Sequence, residues 1–119
     1  MCSFIQNLKI IDGEPLNFKS RYGVNKSVFY QCPSLEEFRV VPDSIKLSLD
    51  LETNEILSDD TLDSLVAGLL DLTDAPEPQS LILNSNIKTR MSEDDLKEET
   101  DPEKHGWLNI ITGKNWTIA

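Results

Sequence analysis

The 119-residue sequence contains one histidine, two cysteines and none of the short motifs that mark common catalytic sites. No stretch matches GxGxxG, a P-loop, GxSxG, HExxH or paired CxxC, which excludes the best-marked nucleotide-binding, hydrolase and zinc-protein classes. The single histidine, His105, is interpreted as a solvated loop residue rather than a catalytic base. A pairing of His105 with Cys32 stays open, although no local pattern supports it. We therefore expect a protein that is not an enzyme and holds no cofactor.

Disulfide frameworks and long apolar runs are also missing. Cys2 and Cys32 are too few for a framework, and the opening MCSFIQNLKI lacks the basic and apolar regions of a secretory signal. No apolar run approaches the roughly 20 residues that a membrane-spanning helix needs. These observations predict a cytoplasmic protein with reduced thiols, folded as a single domain over residues 1–119.

Basic residues are missing from the middle of the chain. None occurs between Lys46 and Lys88, whereas Asp50 to Pro78 holds nine acids and 92–104 holds seven acids with two lysines. The whole chain carries 21 acidic and 11 basic residues, a net charge of −10. Nucleic acids and anionic lipids are polyanions, so such a surface repels them. The charge predicts a basic protein partner, with no direct binding of nucleic acid or membrane; solubility alone is the alternative explanation.

The hydrophobic pattern predicts an α+β fold with a mostly antiparallel sheet of five or six strands. Strands are expected at 3–11, 27–32, 44–52 and 80–89, and a C-terminal hairpin is expected around a turn at 112–115. One main amphipathic helix is predicted at 58–72, where Leu62, Leu65, Val66, Leu69 and Leu70 form one apolar stripe. Within it, Gly68 predicts a close backbone approach.

One or two short helices complete the prediction. Ser34 and Glu37 have the spacing of a capping box and predict a helical turn. The acidic run at 92–104 is interpreted as a short exposed helix or an acidic loop, because Leu96 is its only large apolar residue.

Helix capping explains only some of the acids. Asp59, Asp60 and Asp63 lie in the first turn of the predicted helix, where the helix dipole stabilises a negative charge by about 0.3–1 kcal/mol. Asp71 and Asp74 follow its other end, where the dipole disfavours negative charge, and the local sequence offers no base. We therefore interpret the acids as partner contacts. The candidate partner-binding carboxylates are Asp59, Asp60, Asp63, Asp71, Asp74, Glu93, Asp94, Asp95, Glu98 and Glu99.

Two aromatic residues are candidate anchors for the same partner. Tyr22 lies in a polar segment, and Trp107 directly follows the acidic run at 92–104; core packing is the alternative for Trp107. Metal binding is not predicted, because neither Asp59, Asp60 and Asp63 nor Glu93, Asp94 and Asp95 follow EF-hand spacing.

In its small size, acidity and lack of catalytic motifs, the chain resembles the immunity proteins that protect bacteria from their own toxins, including those of contact-dependent inhibition systems. The resemblance carries over no individual residue. It implies an acidic inhibitor that holds a basic nuclease toxin, with electrostatic steering of association. The alternatives are a DNA mimic that occupies a nucleic-acid-binding groove, a small metal-dependent enzyme that uses the carboxylates and His105, and a non-catalytic accessory subunit.

Overall fold

A computed structural model describes residues 33–74 and 79–119. The elements in chain order are β1 (Leu49–Leu51), α1 (Asp59–Gly68), β2 (Gln79–Leu83), α2 (Ser85–Asp95), α3 (Trp107–Gly113) and β3 (Trp116–Ile118). The strands predicted at 3–11 and 27–32, the candidate anchor Tyr22 and both cysteines lie outside these ranges.

The three strands form one parallel sheet in the order β1-β2-β3. Leu49 pairs with Leu81 on one side of β2, and Leu81 pairs with Ile118 on the other side. Parallel neighbours need long connections; α1 lies in the first, and α2 and α3 lie in the second. The predicted antiparallel sheet of five or six strands is wrong, because alternation identifies the buried face of a strand but not its direction. The class remains a small α+β fold.

Two segments predicted as strands are helical. Residues 85–89 of the predicted strand at 80–89 belong to α2, which begins after Asn84, whose side chain accepts a hydrogen bond from the Asn86 amide at 2.9 Å. Ile87 and Met91, four positions apart, are both fully buried, as expected for one face of a helix. The predicted C-terminal hairpin is instead α3 followed by β3. Its apolar runs are too short for periodicity to distinguish a helix from a strand.

The predicted main helix is confirmed but is shorter than 58–72. Ser58 caps α1 by accepting a hydrogen bond from the Thr61 amide at 3.2 Å, and the helix ends at Gly68. Leu69 is already extended and forms a parallel bridge with Ile45. A Cβ atom on Gly68 would lie 2.6 Å from Val40 Cγ1, which explains why a residue without a side chain occupies this position.

Two further N-terminal predictions need correction. Only Leu49–Leu51 of the predicted strand at 44–52 pairs as a strand. The capping-box spacing of Ser34 and Glu37 does not open a helix: Ser34 lies in a turn and Glu37 lies in an isolated bridge.

One cluster of buried side chains joins the sheet to the three helices. Its fully buried members include Leu51 and Leu81 from the strands and Leu62, Ile87 and Ile111 from the helices. None of the helices within 33–74 and 79–119 is long and apolar enough to cross a membrane. The packing brings the start of α1, the second half of α2 and the loop before α3 together.

Candidate functional site

These three segments enclose an open cleft of about 170 Å³, which we call the α1–α2 cleft. Its lining combines carboxylates, cations and two rings from segments far apart in the sequence. The lining residues are Asp59, Arg90, Glu93, Asp94, Lys97, His105 and Trp107.

Asp63 joins α1 to the loop before α3 through a single carboxylate oxygen. Its Oδ1 accepts a hydrogen bond from Trp107 Nε1 at 2.7 Å and lies 2.8 Å from His105 Nδ1. The His105 and Trp107 rings are stacked, with centroids 4.3 Å apart and planes 9° from parallel. The three side chains therefore fix one another's orientation.

This arrangement also fixes the tautomer of neutral His105. A ring nitrogen without hydrogen would direct its lone pair at the lone pairs of Asp63 Oδ1, so Nδ1 must be the donor in the 2.8 Å contact. Neutral His105 then carries its lone pair on Nε2, which lies 3.9 Å from Asp59 Oδ2.

Asp94 supports the site from the interior of the protein, where its side chain is buried. Only 2% of the residue is exposed, and its two carboxylate oxygens accept hydrogen bonds from the amides of His105 at 2.7 Å and Gly106 at 2.9 Å. Burial alone would raise the pKa of Asp94, but these backbone hydrogen bonds, with the nearby charge of His105, bring that pKa below its usual value. Gly106 has a φ of +72°, a backbone conformation that favours glycine.

Three cations near the cleft are already engaged within the protein. Arg90 donates to the Leu57 carbonyl at 2.5 Å and forms an ion pair with Asp59 Oδ1. Lys104, whose side chain is 8% exposed, forms an ion pair of 2.8 Å with Glu99, which raises the pKa of the lysine. Lys97 Nζ donates to the Glu103 carbonyl at 3.4 Å.

The acids after α1 belong to a different part of the surface. Asp71 and Asp74 follow the C-terminal end of a ten-residue helix, whose length of about 15 Å separates them from the cleft. Lys114 Nζ donates to the carbonyls of Leu69 at 2.7 Å and Val66 at 3.0 Å. The local sequence offers no base, but packing brings Lys114, distant in the sequence, to this end of α1, where its Nζ lies 3.7 Å from Asp43 Oδ1 and its charge also acts on Asp71.

Hydrogen bonding within the protein also stabilises the charged form of Asp71. The pKa of Asp71 is lowered chiefly by hydrogen bonding with Thr73, whose amide lies 3.0 Å from Asp71 Oδ1, and to a smaller extent by the charge of Lys114. The predicted set of partner contacts thus divides into a group around the cleft and a pair at the opposite end of α1.

The remaining predicted contacts differ in accessibility. Trp107 is only 3% exposed and packs in the core, so it offers no exposed anchor. Asp60, Glu93, Asp95 and Glu98 are exposed, and no residue of the described ranges forms an ion pair with them. We call these four the free carboxylates.

Sequence reasoning missed three residues of this region. Arg90 is not singled out by the sequence, and His105 is interpreted there as a solvated loop residue, although its side chain is only 25% exposed and lies against Asp63. Their partners Asp59 and Asp63 are 31 and 42 positions away, and no local spacing encodes such a contact. Leu96 is 85% exposed at the end of α2; its isolation as the only large apolar residue of an acidic run was the available signal.

No group of three or more His, Cys, Asp or Glu side chains in the described part of the chain could hold a metal ion. Comparison with protein-family models, curated protein sequences and solved structures found no match to this chain.

Proposed function

We propose that this protein is a non-catalytic inhibitor that binds a basic protein partner through the acidic surface around the α1–α2 cleft. The partner class that best fits is a nuclease-type toxin, with this chain acting as its immunity protein in the cytoplasm. The proposal extends the resemblance in size and charge to a particular surface of the molecule.

The free carboxylates carry the proposal. Eight predicted contacts lie on α1, on α2 or in the following loop. The cations beside the cleft are Arg90, Lys97 and Lys104, whereas Lys88 of α2 lines a different pocket with Glu52. Since those cations bond to groups within the protein, the negative charge of the free carboxylates is left for a partner. Clustered surface charge of one sign raises the rate of association with an oppositely charged protein.

Leu96 supplies the apolar component that a tight interface needs. It lies between Asp95 and Lys97 and close in sequence to Glu98, so an exposed apolar side chain is placed beside free carboxylates. Interfaces of high affinity combine a buried apolar anchor with a charged rim, and the anchor controls dissociation more than association.

The test begins with capture of the partner from the native host at low and moderate salt, followed by measurement of binding kinetics. Reversing Asp60, Asp95 and Glu98 together to lysine should lower the association rate constant about tenfold or more and flatten its salt dependence. The matched control reverses Glu52, Asp71 and Asp74, three exposed acids that do not line the cleft, with the same change in net charge.

We expect the control variant to retain most of the association rate. Equal losses in the two variants would mean that net charge, rather than this surface, controls binding. Capture of no basic protein at either salt concentration would contradict the proposed function itself.

A further inference from the structure

We infer that the α1–α2 cleft binds a guanidinium or ammonium group of the partner between His105 Nε2 and Asp59 Oδ2. The inference rests on the proposed function and specifies the chemistry of one contact. It places a cationic N–H donor, an arginine or lysine side chain, at one defined point of the acidic surface.

Two hydrogen-bond acceptors face each other at this point. Neutral His105 carries its lone pair on Nε2, and Asp59 Oδ2 lies 3.9 Å away, while Arg90 binds the other oxygen of Asp59. In the neutral form of the ring these two acceptors repel each other unless an N–H donor from outside lies between them, whereas a ring protonated on Nε2 would itself donate to Asp59. A nitrogen about 2.9 Å from both would make an angle of roughly 85° with them, which two N–H groups of one cation can span with bent hydrogen bonds.

The surrounding charge favours a cationic donor. Asp59 and Asp63 face the ring from α1, and Arg90, Glu93 and Asp94 approach from α2, with Lys97 at the end of that helix. Four carboxylates against two cations leave the site negative. Glu93 in particular is a free carboxylate on the cleft wall, so it adds attraction for a cation and repels an anion.

A zinc ion fits this pair of acceptors less well. Zinc ligands lie about 2.0–2.2 Å from the metal in a tetrahedral arrangement, which sets nitrogen and oxygen about 3.4 Å apart. The observed separation is 3.9 Å, and no third ligand completes a metal site among the described residues.

The acceptors are already held in place. Asp63 and the stacked Trp107 fix the imidazole, and Asp94 fixes the backbone of His105 and Gly106. Binding a donor therefore requires little ordering of the site, which reduces the entropic cost of the contact.

The test uses the ring nitrogens of the full ¹⁵N-labelled chain, where His105 is the only histidine and its signals need no assignment by mutation. The spectrum is recorded at a pH where the chemical shifts of the ring nitrogens show that His105 is neutral. Methylguanidinium or methylammonium chloride is then added at constant ionic strength. We expect a saturable shift of the Nε2 signal, with Nδ1 remaining protonated.

Tetramethylammonium chloride is the matched control, because it carries the same charge but has no N–H donor. A shift of equal size with this ion would overturn the inference, since it would show attraction by charge without hydrogen bonding. A neutral ring protonated on Nε2, or the absence of a saturable shift with either donor cation, would also overturn it.

Variants give an independent readout through the Trp107 indole N–H signal. His105→Asn keeps a donor for Asp63 but removes the Nε2 acceptor, and we expect it to weaken methylguanidinium binding about tenfold. Asp59→Asn should have a similar effect, whereas Asp74→Asn, which removes a charge at the far end of α1, should change binding less than twofold. Unchanged binding in both cleft variants would overturn the inference.

The two proposals fail differently. The reversal of Asp60, Asp95 and Glu98 leaves Asp59 and His105 in place, so it weakens partner association without removing the cleft acceptors. Loss of partner binding in that variant with no effect of His105→Asn would refute the cleft contact alone. Saturable binding of the small cations with no basic partner captured would refute the proposed function alone.

Discussion

Asp94 belongs to an acidic run in the sequence but has its carboxylate inside the protein. Its neighbours Glu93 and Asp95 are exposed, as expected for adjacent positions of a helix with one buried face. The carboxylate holds the loop before α3 by accepting hydrogen bonds from two successive backbone amides. A residue predicted as a partner contact is therefore a structural support of the cleft.

Replacing Asp94 by Asn should destabilise the fold by about 1–3 kcal/mol, because the amide group can no longer accept both hydrogen bonds and leaves a buried N–H unsatisfied. Urea denaturation at neutral pH measures the loss. Asp95→Asn, a change of the same kind at the exposed neighbour, should alter stability by less than about 0.5 kcal/mol. Equal effects at the two positions would contradict the assigned role.

The contribution of Asp94 should also depend on pH. Because its pKa is lowered in the folded protein, the contribution is fully present above the unfolded value of about 3.9 and is lost as the pH falls through the folded value. The difference in urea midpoint between the wild type and Asp94→Asn should therefore shrink as acid is added below pH 4. A difference that stays constant or grows on acidification would contradict this assignment.

At the scale of elements, the end of α1 is set by a close contact. Gly68 lies so near Val40 that an added Cβ atom would be 2.6 Å from Val40 Cγ1. The chain then becomes extended at Leu69 and bridges Ile45. The apolar stripe continues through Leu69 and Leu70, so periodicity extended the predicted helix beyond the residue at which packing ends it.

Gly68→Ala tests this contact. Helix propensity alone would stabilise the protein by about 1 kcal/mol, but we expect a net destabilisation of about 1–3 kcal/mol because the β-branched Val40 cannot move aside freely. The double variant Gly68→Ala, Val40→Ala should lose less stability than the two single changes predict together. Additive losses in urea denaturation would show that the contact does not limit the helix.

The start of α2 explains why a strand was predicted at 80–89. The segment begins with the real strand β2, and Asn84 turns the chain into a helix by accepting from the Asn86 amide and donating to the Glu52 carbonyl at 2.7 Å. Short polar residues also occur in strands and loops, so the sequence alone does not identify Asn84 as a cap. Its second contact, with Glu52 just after β1, exists only in the folded chain. The apolar stripe of α1, in contrast, is long enough to be predicted from its period alone.

Asn84→Ala should cost about 1 kcal/mol, since it removes the cap of α2. Asn84→Asp keeps the oxygen that accepts from Asn86 but loses the donor to Glu52, and we expect it to restore part of that stability. Thermal unfolding followed by circular dichroism compares the three proteins. If aspartate is as damaging as alanine, the hydrogen bond to Glu52 rather than the cap is the important interaction.

At the scale of the whole molecule, the acids predicted as partner contacts lie in two regions with different surroundings. Lys114 lies at the end of α1 beside Asp71, whereas the free carboxylates share their part of the surface with Arg90, Lys97 and Lys104, which bond to other groups of the protein. The charge pattern of the sequence identified the carboxylates of the candidate site. It could not identify their surroundings, because Arg90, His105 and Lys114 reach their partners only through tertiary packing.

The parallel arrangement of the sheet has a kinetic consequence for the whole chain. Leu49 pairs with Leu81, 32 positions away, and Gln79 pairs with Trp116, 37 positions away, so none of the strands β1, β2 and β3 finds its neighbour through a local turn. Chains dominated by such distant pairings fold slowly, commonly in milliseconds to seconds. During that interval the apolar segment of β2 is exposed to other copies of the chain, so yield on refolding should fall as protein concentration rises.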